Sequence, residues 1–168
     1  MGENRHLRGA TNEIEVPIHG KTVVEKGEFL FIAQDGFCTF DHDTDHYGYP
    51  ASKIAGTTSA YFDQNFLGVT MKGSLSGTTE EIPVATSGIF RFQINLGTSA
   101  TSQLARVGMT VSASTAIGSG TSVSGTTVTV GSHEDCVVGR CVKNEISATS
   151  VDFMLMSRMA GTSVLNFS

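Results

Sequence analysis

Short apolar phrases, most of them alternating with polar residues and closed by Gly, Ser or Thr, run from residue 14 to residue 156. Ile14, Val16 and Ile18 alternate with Glu15 and Pro17, the period-2 pattern of a strand with one buried face. Pro17 has no N–H to give a ladder, so this strand belongs at an edge or at the start of a sheet. Val23-Val24 and residues 28–33 (EFLFIA) continue the β pattern, with Lys26-Gly27 as the turn between them. Further phrases follow at 66–71 (FLGVTM), 81–85 (EIPVA), 88–95 (GIFRFQIN) and 107–112 (VGMTVS). The last three are 126–130 (TTVTV), 136–142 (CVVGRCV) and 151–156 (VDFMLM). Strands this short, at this spacing, predict a mainly β fold, a single barrel-like or sandwich-like domain.

The links between phrases add detail. Ser87-Gly88 predicts a tight turn between two strands, and residues 97–101 a Gly/Ser/Thr loop. Residues 112–127 have low complexity, yet Val123, Val128 and Val130 restore the alternation, so the segment predicts a hairpin with a long tip. Residues 151–156 are apolar except for Asp152, which predicts a central strand buried on both faces. Residues 1–13 are polar and charged without an apolar period. They predict an extended N-terminal arm, disordered or ordered only against a partner. Residues 35–50 (DGFCTFDHDTDHYGYP) predict a long acidic loop. Residues 51–65 predict one short helix that Ser52 caps, weakened by Gly56 and by Thr57-Thr58. The chain thus divides into an arm, 1–13, and a β-rich domain, 14–168, with the acidic loop and helix inserted at about 35–65. A short tail, 160–168, carries Val164, Leu165 and Phe167 for docking on the barrel or a neighbour.

A length of 168 residues allows one core, with roughly 70% of the unfolded surface buried on folding. Charged residues are only 16%, against an average of about 25%. Ser and Thr hydroxyls and 19 glycines stand where a salt-bridged surface would otherwise be. The net charge of −5 argues against a nucleic-acid partner, because binding a polyanion relies on Lys and Arg neutralising phosphates. The sole basic concentration, Arg5, His6 and Arg8, is followed at once by Glu13 and Glu15. Three cysteines, Cys38, Cys136 and Cys141, close no disulfide framework; they read as small buried hydrophobes in a reducing compartment. Cys136 and Cys141 are five apart, so an uninterrupted strand would point them to opposite faces. Residues 1–20 lack the apolar run of a signal peptide. No stretch approaches the roughly 20 apolar residues of a membrane span.

The strongest chemical candidate is Asp41-His42-Asp43-Thr44-Asp45-His46. Alternate carboxylates with two imidazoles four apart offer oxygen ligands for Ca²⁺ or a mixed site for a transition metal. As a calcium loop the pattern is incomplete: Gly48 falls two positions late, and Ser52 stands where the bidentate Glu belongs. A solvated acidic loop and a metal site both remain open, and no cofactor is implied. No nucleophile elbow or phosphate-cradling loop is present in the sequence, so the chain reads as a non-enzyme. Tyr47 and Tyr49, two of three tyrosines, leave a surface adhesin or carbohydrate-binding module as a further alternative to a metal-binding β domain.

Taken in order, the phrases resemble head decoration, or capsid cement, proteins of tailed bacteriophages. The carriers of the resemblance are Gly68-Val69, Ser87-Gly88-Ile89-Phe90, Val107-Gly108-Met109-Thr110-Val111, Val138-Gly139-Arg140-Cys141-Val142 and residues 151–155. It covers residues 24–34 and 66–156; the loop and helix of 35–65 look like an insertion, and the arm is longer than a minimal member needs. The resemblance implies a β-barrel-like module in the virion, made in the host cytoplasm. Such a module binds the major capsid protein on the outer shell face, often as a homotrimer, and braces the shell against internal pressure. It implies no catalytic residue, and neither nucleic acid nor membrane as partner. Contacts with capsid or neighbouring subunits are expected from Arg5 and Arg8, from the edge at Ile14, Val16 and Ile18, and from Tyr47 and Tyr49.

Overall fold

The computed structural model describes residues 5–18, 22–34, 46–50, 65–75, 80–98, 100–115, 123–131 and 136–157. Across them the alternating phrases form strands. The first five are β1 (Arg5–Arg8), β2 (Glu13–Pro17), β3 (Phe29–Gln34), β4 (His46–Pro50) and β5 (Phe66–Thr70). Next come β6 (Glu81–Ala85), β7 (Ile89–Ile94), β8 (Gln103–Ala105) and β9 (Thr110–Thr115). The last four are β10 (Val123–Gly131), β11 (Val137–Cys141), β12 (Glu145–Ala148) and β13 (Ser150–Leu155). The protein is mainly β, as its periodicity predicts, and the residues of the predicted helix from 51 to 64 lie outside the described ones.

One sheet runs β1-β7-β10-β9-β11-β13, and β13 returns to pair with β7. That return closes five strands into a small barrel, which removes the exposed edges that an open sheet must manage. β13 takes one edge of β7 along its length, from Ser150 opposite Gln93 to Met154 opposite Ile89. The other edge is shared. β1 pairs antiparallel with its first half, and β10 pairs parallel with its end at Gln93 and Ile94. The predicted hairpin is present, β9 and β10 pairing antiparallel on either side of residues 116–122. Alternation points Phe90, Phe92, Ile94, Val151, Phe153 and Leu155 into the barrel.

Residues 151–156 therefore are not buried on both faces as their composition predicts. β13 has a neighbour on each side, but Met154 and Met156 remain 52% and 49% exposed on the outer surface. Residues 107–112 also divide: Val107 and Gly108 form a turn, with Gly108 at φ 88°, and the strand begins at Thr110.

The second sheet runs β2-β6-β5-β3-β4, antiparallel throughout. Pro17 lies on an edge strand, as expected, and the other edge is β4. The end of the predicted acidic loop is thus a strand, pairing with β3 from His46 opposite Gln34 to Pro50 opposite Leu30. The sheet curls until β2 and β4 approach each other, a half-barrel around Val16, Ile18, Leu30, Leu67, Ile82 and Val84. Its other face lies on the barrel. Phe29, Phe31, Phe66 and Val69 enter the barrel's own cluster, and Phe29 stacks on Phe92 with ring centroids 4.4 Å apart.

β5 can serve both cores because it carries a bulge. Phe31 stands opposite Phe66 and Leu30 opposite Gly68, leaving Leu67 as the extra residue. Phe66 and Val69, three apart, thereby share one face, while Leu67 turns to the other core. Cys136 and Cys141 likewise join one cluster. The strand between them is interrupted, with Cys136 at φ 57° ahead of β11 and a register shift between Val137 and Gly139.

Residues 5–13 of the N-terminal arm are ordered against their own chain rather than only against a partner. β1 extends the barrel sheet, with the His6 ring 5.4 Å from that of Phe90. Beyond it, the segment clasps the crossing from β6 to β7. The Thr86 N–H and hydroxyl both donate to the Asn12 carbonyl, at 2.8 and 2.9 Å. The Asn12 N–H donates to Ser87 Oγ at 3.0 Å, and that hydroxyl donates to the Ala10 carbonyl at 3.1 Å. The Ser87-Gly88 turn thus carries the chain from one sheet to the other, with Gly88 at φ 123°.

Gly139 sets the spacing of the barrel. A Cβ there would lie 2.1 Å from the Met154 carbonyl oxygen and 2.6 Å from Phe153 Cδ2, so neither backbone could keep its place. Gly139→Ala is expected to cost about 3 kcal/mol or more, a fall in Tm of roughly 6–12 °C at this size. Gly97→Ala, where a Cβ meets nothing but φ is +65°, should cost only about 1–2 kcal/mol. Thermal melts of both variants check this ordering; equal losses would show that spacing at β11–β13 is not limiting.

Candidate assembly surface

The outer wall of the barrel follows from its interior. With Phe90 and Phe92 turned inward, Ile89, Arg91 and Gln93 turn outward; with Val151 and Phe153 inward, Asp152 and Met154 turn outward. Cross-strand register then assembles two rows. One runs Thr110, Arg140, Met154, Ile89, Arg8 across β9, β11, β13, β7 and β1. The other runs Asp152, Arg91, Arg5 across β13, β7 and β1. An apolar centre at Met154, Met156 and Ile89 is therefore bordered by arginines on both sides.

Arg91 and Asp152 make a bidentate pair, Nε to Oδ1 at 2.6 Å and Nη2 to Oδ2 at 2.9 Å. The hydrogen bonds that Arg91 donates to Asp152 hold its guanidinium above its ordinary pKa, against the opposing effect of burial. This fork fixes both side chains flat on the wall. Arg140 donates from Nη1 to Thr110 Oγ1 at 2.9 Å and to the Gly108 carbonyl at 3.3 Å. His6 donates from Nε2 to the carbonyls of Arg8 and Gly9, pinning β1 beside the wall. Among the described residues no carboxylate pairs with Arg5, Arg8 or Arg140.

A second exposed element is the ribbon of β8 and β12, which sequence reasoning missed. QLA and EISA show no apolar alternation, and the ribbon is secured through small buried residues, Ala105 and Ala148. Gln103 Nε2 ties it to the Val130 carbonyl, and Asn144 Oδ1 accepts from the Val107 N–H at 2.9 Å. It presents Leu104, Val107 at 61% exposure and Ile146 at 86%.

The expected contact residues separate into groups. Arg5 and Arg8 are exposed on the wall, where β1 places them. Val16 and Ile18 are not surface contacts: they are 3% and 0% exposed in the half-barrel core, with Ile14 half-buried against it. Alternation turns Glu13 and Glu15 outward in their place. Tyr47 and Tyr49 lie on β4, opposite Ala33 and Phe31. Of the metal candidates, Asp41, His42, Asp43 and Asp45 lie outside the described residues, and His46 opens β4. Among the described residues no three His, Cys, Asp or Glu side chains converge as a metal site.

Two measurements follow. Asp152→Asn, which leaves Arg91 without its carboxylate, should cost about 1–2 kcal/mol given the partial exposure of the pair. A double-mutant cycle with Arg91→Gln should recover that as coupling; additive losses would show the fork contributes nothing. Burial pushes the Cys141 thiol above its ordinary pKa, so folding favours the protonated form. Its contribution is whole below the unfolded thiol's pKa of about 8.5 and is lost as pH rises through the higher folded value. In a Cys38→Ser variant, a thiol reagent at pH 8 should find Cys136 and Cys141 unreactive until denaturant is added.

No protein-family model, curated protein or solved structure matches the chain.

Proposed function

We propose that this protein is a structural component of a phage virion, a head decoration or cement protein that binds the outer surface of the capsid shell and stabilises it. The observation that supports this most is the correspondence between the resembling phrases and the strands. Residues 66–71 hold β5, 81–85 hold β6, 88–95 hold β7, 107–112 the start of β9, 136–142 hold β11 and 151–156 most of β13. The phrases are thus the framework of the body and not scattered likenesses. Such a body suits bracing. A closed barrel packed on a half-barrel resists deformation, and its outside carries apolar side chains that a soluble monomer gains nothing by exposing. On a shell, each modest contact is repeated over the lattice, so avidity replaces single-site affinity. The partners in this reading are the major capsid protein and other copies of this chain, on the virion surface, with no catalytic residue assigned.

The test uses heads of the parent phage assembled without this protein. Purified chain should bind them and raise their resistance to heating. Ile146→Asp together with Val107→Asp should weaken binding at least tenfold, since each apolar contact is worth about 1.5–3 kcal/mol. Heads that ignore the wild-type chain at micromolar concentration would sink the proposal.

A further inference from the structure

The chain has 16 acidic residues against 11 basic, and besides the mixed pairs Lys72–Glu80 and Lys143–Glu145 its described surface gathers arginines without a carboxylate in one place and glutamates without a cation in another. The barrel wall carries Arg5, Arg8 and Arg140 around Met154 and Met156; of the carboxylates near it, Asp152 is engaged by Arg91, and Glu145, whose charge also reaches Arg91, pairs with Lys143. The half-barrel carries the opposite patch. Glu13 and Glu15 lie two apart on β2 and are exposed. Pro17 continues their face and stands opposite Glu81 on β6, also exposed. Among the described residues Glu13 accepts only the Thr11 hydroxyl, at 3.4 Å, and no cation pairs with Glu13, Glu15 or Glu81.

We propose that the arginine–methionine wall of one copy is a docking surface for the glutamate edge of a second copy. Three observations favour that occupant. First, the chemistry is complementary: arginine forks match carboxylates in two hydrogen bonds each, and the wall holds arginine rather than lysine. Second, the dimensions agree. Arg8 and Arg140 are three strand spacings apart along the curved sheet, about 14 Å of arc, and Glu13 stands four residues of strand, also about 14 Å, from Pro17, the position opposite Glu81. Third, the wall has the composition of a protein interface, an apolar centre with Met and an arginine border. The apolar centre counts against a nucleic-acid backbone, which would leave Met154 and Met156 without partners. Because the two patches differ, the contact is head-to-tail, so copies close as a ring or continue as a filament. It requires only a second copy and stands whether or not the body also sits on a shell.

The experiment is a charge exchange read by light scattering on purified full-length chain at about 50 mM salt. Wild type is expected to associate, with the apparent Kd weakening at least tenfold when salt is raised to about 500 mM. Arg5→Glu with Arg8→Glu should abolish association, and so should Glu13→Arg with Glu15→Arg; all four positions are exposed, and unchanged melting confirms folding. Mixing the two reversed variants should restore association, because each then meets an opposite charge. A wild type that stays monomeric at several hundred micromolar overturns the proposal, as do reversed variants that associate like wild type or a mixture that does not recover. Binding of mixed-sequence duplex DNA lost in Arg5→Glu/Arg8→Glu, without self-association, would assign the wall to a polyanion and equally overturn it. Failure of head binding with intact self-association would instead count against the shell reading alone.

Discussion

The stack of Phe29 on Phe92 is the contact through which the two sheets become one body. Phe29 comes from β3 of the half-barrel, yet its ring also meets Phe66 at 5.7 Å and Phe153 at 6.4 Å, while Phe92 and Phe153 meet edge-on at 5.4 Å. Four rings from β3, β5, β7 and β13 thus form one buried cluster, each with about 150–250 Å² of side chain to hide. No single sheet could bury them. The barrel supplies two rings and the half-barrel two, so each sheet completes the core of the other. β3 is consequently buried on both faces, sending Phe29 and Phe31 to the barrel and Leu30 to the half-barrel.

That constraint reaches the surface through the pleat. A strand with Phe92 inward must have Arg91 outward, and a strand with Phe153 inward must have Asp152 and Met154 outward; a slip of one residue would exchange the faces. The position of the Arg91–Asp152 fork, and of the arginines beside it, is therefore dictated by aromatic packing on the far side of the sheet. Two glycines make the packing possible. Gly68 lets β5 approach β6 where a Cβ would lie 2.0 Å from the Ala85 carbonyl oxygen, and Gly139 does the same for β11 and β13.

Much of this framework is legible in the sequence, because local alternation and local turn chemistry report it directly. β2, β6, β7 and the β9–β10 hairpin follow from periodicity, Pro17 and the glycine-rich tip. Where the structure departs, a non-local cause is at work. β13 looks like a doubly buried strand because apolarity alone cannot distinguish a covered face from an outer face carrying Met154 and Met156. β1 is invisible because Arg5-His6-Leu7-Arg8 has no apolar period, and it forms only because the first half of β7 has an edge that β10 does not cover. Val16 and Ile18 read as contact residues when the edge strand is considered alone; the curl of the half-barrel encloses them and turns Glu13 and Glu15 out instead. β8 and β12 are held by Ala105 and Ala148, too small to register in a pattern search.

The same distinction applies to charge. A net charge of −5 in a chain with 16% charged residues describes how the whole molecule behaves at a distance beyond the Debye length, about 10 Å at 0.1 M salt. At contact, what matters is which charges share a face. The closure of β13 onto β7 and the pairing of β1 with β7 bring together residues 5, 8, 91 and 140, while β2 and β6 gather residues 13, 15 and 81. Arg5 with Arg8, and Glu13 with Glu15, are neighbours along the chain, but residues 91 and 140 join the first pair, and residue 81 the second, only through strand register. Sparse charge makes the segregation more consequential, since few other charged side chains compete for the exposed members of either patch. A fold built from apolar phrases thus carries its electrostatic information in strand register, one step removed from the order of its residues.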